Sequence, residues 1–569
     1  MEWLLIDSIG PFFHGYQRKR INWSKIPFAH LETPAGLKPE LLAPIREEFA
    51  RFVSTAAAVG FNAVTLDDLA HLYIWQGYTP PLQTLLRHYQ TLYRELFALA
   101  AQAGLRVFIT TDVMFYTPEL KRALGRSTTS LILWWQQTLR HVFQDFPDLA
   151  GIIMRFGEAD GVDVKHTFRS ELVLRTPRQV RQFLAHLLPV FEQCGKLLIF
   201  RTWSVGAHPV GDLMWHRGTF RKVFASLRSP QLIISMKYGE SDFFRFLPLN
   251  AHFFRDTHKK IIELQTRREY EGFGEYPAFV GWEYERYLQA VRQIPQVVGA
   301  SVWCQTGGWG TFRRRTYLAD SSIWVELNTF VTVQMCRGAS CEQAVEQFCA
   351  RSSPAIAVQP FLEFLRLADE VIANLLYIRE LGERTLFFRR LRVPPLLHVF
   401  WDRLLMTPWI RTALRCLVTD HQRAVAEGWH ALETLHTMQQ VAAAQHLPTQ
   451  GLQLQYDTFE LLASVREYFF GEATPALQER VHALHQRYRA TYRQRYTMHT
   501  SEAPGVLHSR YVPLLLRLLL RQQRGYRLID HLLLLQLLTL AYPFLRRWSR
   551  WLFPPSTRTH GMGIEAVLK

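Results

Sequence analysis

The chain has 569 residues, enough for roughly two to four domains. Hydrophobic residues make up 48% and charged residues 20%, a balance that provides for a large core and excludes a disordered chain. The net charge of +17 is unevenly placed: residues 471–569 hold 15 Arg or Lys against 5 Asp or Glu, a balance of +10, so the basicity belongs to the tail and says little about the charge of a substrate.

Aromatics reach 13%, with 16 Trp, a composition that suits sugar binding as well as a large core. The six cysteines (Cys194, Cys304, Cys336, Cys341, Cys349 and Cys416) show neither a CxxC pair nor zinc spacing. Free buried thiols, a reducing cytoplasmic setting and no metal or organic cofactor are therefore expected. The N-terminal run MEWLLIDSIG has no basic segment followed by a long apolar one, so no secretory signal is read there.

From the N-terminus, short apolar runs recur at Trp3–Asp7, Phe61–Leu66, Arg106–Thr111, Gly151–Phe156, Lys196–Trp203, Leu232–Lys237, Ile261–Leu264 and Val297–Trp303. Most are separated by stretches of helical period, among them Leu41–Val59, Leu82–Ala103, Leu131–Phe143, Pro177–Cys194 and Glu283–Gln293. Continuous apolar strands alternating with helices predict a parallel sheet, and eight strands are the count of a (β/α)₈ TIM barrel over residues 1–320. Periodicity alone leaves an open doubly wound sheet in play, but no GxGxxG follows an early strand.

Helical period then continues alone through Trp324–Arg337, Cys341–Ala350, Pro360–Leu381 and Leu396–Leu417 to about Tyr468, which predicts an α-helical domain over residues 321–470. Residues 471–569 form a basic, Leu/Arg/Trp-rich tail. Its Leu-rich runs, Tyr511–Leu520 and Leu528–Leu545, read as amphipathic helices packed on the body or a partner. A peripheral contact with an anionic membrane is the alternative, and no nucleic-acid partner is expected.

In a parallel barrel the chemistry sits where strands end. The fourth run ends in Arg155-Phe156-Gly157-Glu158, and the fifth carries Arg201 and Trp203. The sixth runs into Lys237 and Asp242, and the seventh into Glu269. Hydrolysis of a glycoside needs one protonated carboxyl for the leaving oxygen and one ionised carboxylate for water or carbon. Any one Glu after a strand is more often a cap or a solvated loop residue. Convergence of Glu158, Asp242 and Glu269 beside Arg201 and Lys237 is what raises catalysis to a candidate. Asp67, Asp68 and Asp112 also end strands, with helix capping the favoured reading. Trp203, Trp282, Trp303 and Trp309 are candidate sugar-stacking faces.

The run MKYGESDFFRFLPLN followed by IIELQTRREYEGFGEYPAFVGWE closely resembles family 67 of the glycoside hydrolases, the α-glucuronidases. Lys237, Gly239, Asp242 and Phe243 match that family's Lys-x-Gly-x-x-Asp-Phe motif. Glu263, Leu264, Gln265, Glu269 and Tyr270 match its Glu-Leu-Gln…Glu-Tyr motif, and 269 − 242 = 27 positions falls within that family's window of about 25 to 30. The resemblance covers roughly residues 15–350 and implies an inverting hydrolase of an α-linked glucuronic acid or related acidic sugar, with a carbohydrate as partner. It implies Glu158 as general acid and Asp242 with Glu269 as the pair that positions and deprotonates water. It further implies that Arg201 and Lys237 bind the sugar carboxylate; Arg155 is a lesser candidate, one position from the family's Lys, and Trp203 is added as an aromatic face at the mouth. Departures from the family pattern, Glu158-Ala159-Asp160-Gly161-Val162 after the acid and Glu240 where the family has Pro, leave the sugar open. A glycosidase for another sugar, or an idle carbohydrate-binding barrel, stays as the alternative.

Overall fold

The computed structural model describes residues 1–16, 26–157, 167–204, 209–305, 315–352, 356–382, 385–386, 391–392, 403–406, 408–492, 499–501 and 520–521. Eight parallel strands close into a barrel: β1 (Trp3–Asp7), β2 (Ala63–Asp67), β3 (Arg106–Asp112), β4 (Leu149–Gly157), β5 (Leu197–Ser204), β6 (Leu232–Lys237), β7 (Lys259–Gln265) and β8 (Val297–Trp303). β8 pairs with β1, Leu4 opposite Ala300, so no edge is left open. Helices α1 (Pro39–Val59), α2 (Pro80–Gln102), α3 (Thr128–Asp145), α4 (Pro177–Cys194), α5 (Arg217–Phe224) and α6 (Gly281–Arg292) lie outside it. The expected TIM barrel is what the chain forms.

The period-two alternation within each strand separates two cores. Trp3, Leu5, Ala63, Phe108, Ile153, Ile199, Ile233 and Ile261 fill the barrel interior as one apolar cluster. The alternate positions, such as Ile6, Val64, Ile109, Ile152, Leu198, Ile234 and Ile262, pack outward under the helices in a second, larger cluster. This is why the strands read as unbroken apolar runs: both faces are buried. Local chemistry sets the helix ends. Thr176 and Gln179 form a reciprocal capping box at the start of α4, and Ser127 and Ser322 cap α3 and the first helix beyond the barrel.

That next layer is helical, as expected: α7 (Ile323–Arg337), α8 (Cys341–Ser352), α9 (Val358–Leu376), α10 (Pro408–Leu417), α11 (His421–Ala444), α12 (Leu452–Phe470) and α13 (Pro475–Tyr492). Two details differ from the sequence reading. Of the helix expected over Leu396–Leu417, Pro408–Leu417 is helical, and residues 396–402 and 407 lie outside the described residues. Arg403–Leu405 is extended and pairs in parallel with His499–Ser501, a long-range partner that local periodicity cannot register. Pro408 suits a helix start, where its missing N–H costs nothing. Helical packing also runs past residue 470: α13 buries Leu477, Val481 and Tyr488, and its Tyr492 Oη donates to Asp457 Oδ2 at 2.5 Å. Most of the Leu-rich tail lies outside the described residues. Leu520, the end of its first run, is extended and pairs with Leu386. Among the described residues, no helix is long and apolar enough to cross a membrane.

Candidate active site

Above the apolar interior the same inward alternation turns polar. Along the strand ladders Asp112 sits opposite Arg155, Arg155 opposite Arg201, Arg201 opposite Ser235, Lys237 opposite Glu263, and Gln265 opposite Trp303. Register therefore carries these side chains around the C-terminal mouth of the barrel, the end where (β/α)₈ chemistry is done.

Asp242 and Glu269 meet there. Lys237 Nζ donates to Asp242 Oδ1 at 2.5 Å, the Phe243 N–H donates to the same oxygen at 2.9 Å, and Tyr270 Oη donates to Oδ2 at 2.8 Å. Three donors, one of them an ammonium, thus occupy the two oxygens of Asp242. Glu269 is in a different setting. Burial, and then the negative charge of Asp242, push its carboxyl up from 4.5 to about 8, although the Lys237 ammonium and hydrogen bonds from Gln265 and Tyr270 oppose the shift. At neutral pH one member of the pair keeps its proton and the other is charged, the division of labour that acid/base chemistry needs. Both are buried, at 4% and 6% exposure.

Lys237 is held from two further sides, with its Nζ 3.6 Å from the centre of the Trp203 ring and 4.6 Å from that of Phe243. Trp203 is only half-buried, so it presents aromatic surface at the mouth. Beneath the pair, Glu263 is a fully buried anchor. It accepts Arg201 Nε at 3.0 Å and Nη2 at 2.8 Å, Ser235 Oγ at 2.8 Å and Trp303 Nε1 at 3.2 Å. Burial would raise the Glu263 carboxyl, but Arg201 and Lys237 outweigh burial and hold it below its ordinary value.

The opposite wall carries the strand-end aspartates. Arg155 Nε lies 2.8 Å from Asp112 Oδ1 and its Nη2 3.9 Å from Asp67 Oδ1. Asp68 Oδ1 and His71 Nδ1 are 2.6 Å apart, and His71 stacks on Phe28 at 3.5 Å. Capping does not account for Asp68: it stands at the N-terminus of a single short turn, but its side chain makes no capping hydrogen bond.

Of the residues singled out from sequence, Asp242, Glu269, Lys237 and Trp203 are brought together, and Arg201 and Arg155 join them around the mouth. Glu158 and Trp309 lie outside the described residues. Two of the four tryptophans are engaged in contacts within the protein. Trp282 packs against Phe279 and under Arg366 of the helical domain, and Trp303 is fixed by Glu263 with Arg201 over its ring at 4.7 Å. Sequence reasoning gave Glu263 and Tyr270 no role. The alternation Ile261, Glu263, Gln265 was the available signal that Glu263 points inward; nothing local shows that Tyr270 reaches back to Asp242.

No protein-family model matches the chain, and no curated protein matches it in sequence. Among solved structures, 87% of the chain is similar to 62% of a family 138 glycoside hydrolase targeting pectin rhamnogalacturonan II, with a TM-score of 0.50 and 10% identity. An O-GlcNAc hydrolase from Thermobaculum terrenum matches 79% of the chain over 86% of its own, with a TM-score of 0.37 and 11% identity. A β-mannanase from the blue mussel Mytilus edulis matches 53% over 87%, with a TM-score of 0.32 and 12% identity. The chain thus spans less than two thirds of the family 138 enzyme, and at 10% identity that likeness establishes a shared fold: a (β/α)₈ barrel continued by further structure.

Proposed function

We propose that the chain is a glycoside hydrolase, inverting in stereochemistry, that removes an α-linked glucuronic acid or related acidic sugar from a small glycoside. The observation that carries this reading is the buried pair at the barrel mouth, where Lys237 donates to Asp242 and burial beside Asp242 raises the Glu269 carboxyl. In the resting state the pair holds one proton, on Glu269. Water lies between the two carboxyls and attacks the anomeric carbon as its proton passes to Asp242. Glu158, from the end of β4, gives its proton to the departing oxygen, so the bond to the aglycone breaks as the bond to water forms. Arg201 and Lys237, with Arg155 nearby, face the sugar carboxylate, and Trp203 offers a face for the ring.

A neutral sugar is the second reading, and one observation favours it. Arg201 presents two nitrogens to Glu263, Lys237 is paired with Asp242, and Arg155 lies between Asp67 and Asp112, so each of these cations has a carboxylate neighbour within the protein. A panel of aryl α-glycosides with and without a carboxylate at C5, run on the wild type, Glu158→Gln and Asp242→Asn, separates the two. Turnover confined to acidic sugars and lost in both variants is the expected result. Turnover of neutral sugars alone removes the role given to Arg201 and Lys237, and no turnover of any glycoside refutes the enzyme reading. In a complex with a bound sugar, the Glu158 carboxyl is expected across the ring from the pair at roughly 6.5–9.5 Å, the spacing of a single displacement.

A further inference from the structure

The loop from β7 to α6, residues 266–280, carries Glu269 with no regular secondary structure to stiffen it. Within seven residues Arg268, Gly272, Phe273 and Gly274 take left-handed φ values of 55°, 87°, 56° and 78°. Two of these are not glycine, and such backbone persists only where the surroundings impose it.

The surroundings here come from the helical domain. Glu271 sits at the centre, fully buried. Arg245 gives it Nε and Nη2, both at 3.0 Å, Arg268 gives it Nε at 3.0 Å and also Nη2, and Tyr377 donates Oη at 2.6 Å. Burial would raise the Glu271 carboxyl, but Arg245 and Arg268 override it and hold it at about 2, so it stays charged. Arg245 also donates to Asp369 on α9 and to the Phe279 carbonyl at 2.7 Å. Arg245 lies three residues after Asp242, and Arg268 immediately precedes Glu269. One carboxylate therefore gathers both loops that bear the reactive pair, and Tyr377 and Asp369 tie that junction to the helices.

Further along, the loop is held by the helical domain residue after residue. Ser322 Oγ donates to the Gly274 carbonyl at 2.5 Å, Gln455 Nε2 to Pro277 at 3.1 Å and Asn328 Nδ2 to Ala278 at 2.6 Å; the Val280 N–H donates to Asn328 Oδ1 at 3.2 Å. Gly451, just before α12, packs so closely that a Cβ there would lie 1.8 Å from the Glu275 carbonyl oxygen.

We propose that the helical domain is a working part of the active site: through Tyr377 and Asp369 it locks the Arg245–Glu271–Arg268 junction, and this junction sets the position of Glu269 and the Tyr270–Asp242 contact. Arg245, Arg268 and Glu271 are positioning residues, since they act through their neighbours. The proposal rests on the reading of Glu269 given above.

Its test uses the full chain and two mild variants, Tyr377→Phe and Asp369→Asn, because Glu271→Gln removes the countercharge shared by two buried arginines, leaving Arg245 with Asp369 alone, and endangers folding. The Glu269 carboxyl is followed by infrared difference spectroscopy against Glu269→Gln. The charged or titratable groups acting on it are Asp242, Lys237 and Tyr270. A loosened loop admits water, so the titration of Glu269 is expected to move down by about one pH unit or more in the variants. On a glycoside that the wild type cleaves, kcat is expected to fall between about tenfold and a hundredfold with KM within about twofold. Folded variants with unchanged Glu269 titration overturn the proposal, as does a loss of thermal stability with no change at the site, which would make the junction structural only. If the wild type cleaves no glycoside, the functional reading fails by itself, and the titration still decides the coupling.

Discussion

Glu269→Gln should make the protein more stable in alkali than the wild type. The change keeps the side-chain volume and removes only the titration. Burial, with Asp242 alongside, raises the Glu269 carboxyl from 4.5 to about 8, so above pH 4.5 the folded chain retains a proton that the unfolded chain gives up. A raised value contributes stability that is fully present below 4.5 and is lost as pH rises through about 8. The gap corresponds to about 5 kcal/mol across that window. Gln, neutral throughout, escapes this loss. Calorimetric melting of both proteins between pH 4.5 and 9 checks it: the wild-type Tm should fall relative to the variant by roughly 5–10 °C over the window. Melting curves that stay parallel across pH, or a wild type that gains on the variant as pH rises, would refute the account of Glu269 as a carboxyl kept neutral by its surroundings.

The other expectations are independent of that one. Glu263→Gln removes the charged anchor of Arg201, Ser235 and Trp303 from the barrel interior, at a cost of about 3–5 kcal/mol read by denaturant unfolding. Because the native Glu263 carboxyl is held low, its contribution is present above the usual carboxylate range and lost as pH falls, so the two proteins should converge in acid. Asp242→Asn should keep the fold and lower kcat/KM by roughly 10²–10⁴-fold on any glycoside the wild type cleaves, measured at constant pH. Gly451→Ala combines a φ of 79° with a clash on the Glu275 carbonyl and should lower Tm through a loss of at least about 1–3 kcal/mol; an unchanged Tm would show that the loop yields easily.

Much of the architecture was legible along the chain because its causes are local. Strands buried on both faces must be apolar throughout, and helices packed on one side must repeat at 3.6 residues, so the eight strands and the switch to a mainly helical layer beyond them appear in order. Asp242 and Glu269 were legible as strand-end carboxylates in specific motifs. Their partners were not. Arg201 reaches Glu263 across the intervening strand only because β5, β6 and β7 are in register, and Trp303 reaches Glu263 because β7 and β8 pair side by side. The extended pairing of Arg403–Leu405 with His499–Ser501 escaped for the same reason, since a strand's partner can lie anywhere in the chain. Tertiary structure alone decided that the Glu269 carboxyl is raised, because burial and the neighbouring Asp242 arise only when the two loops come together. It also decided that Glu271, two residues from Glu269, belongs to the junction with the helices, because Arg245, Tyr377 and Asp369 come from segments up to 106 residues away and meet only when the chain is folded.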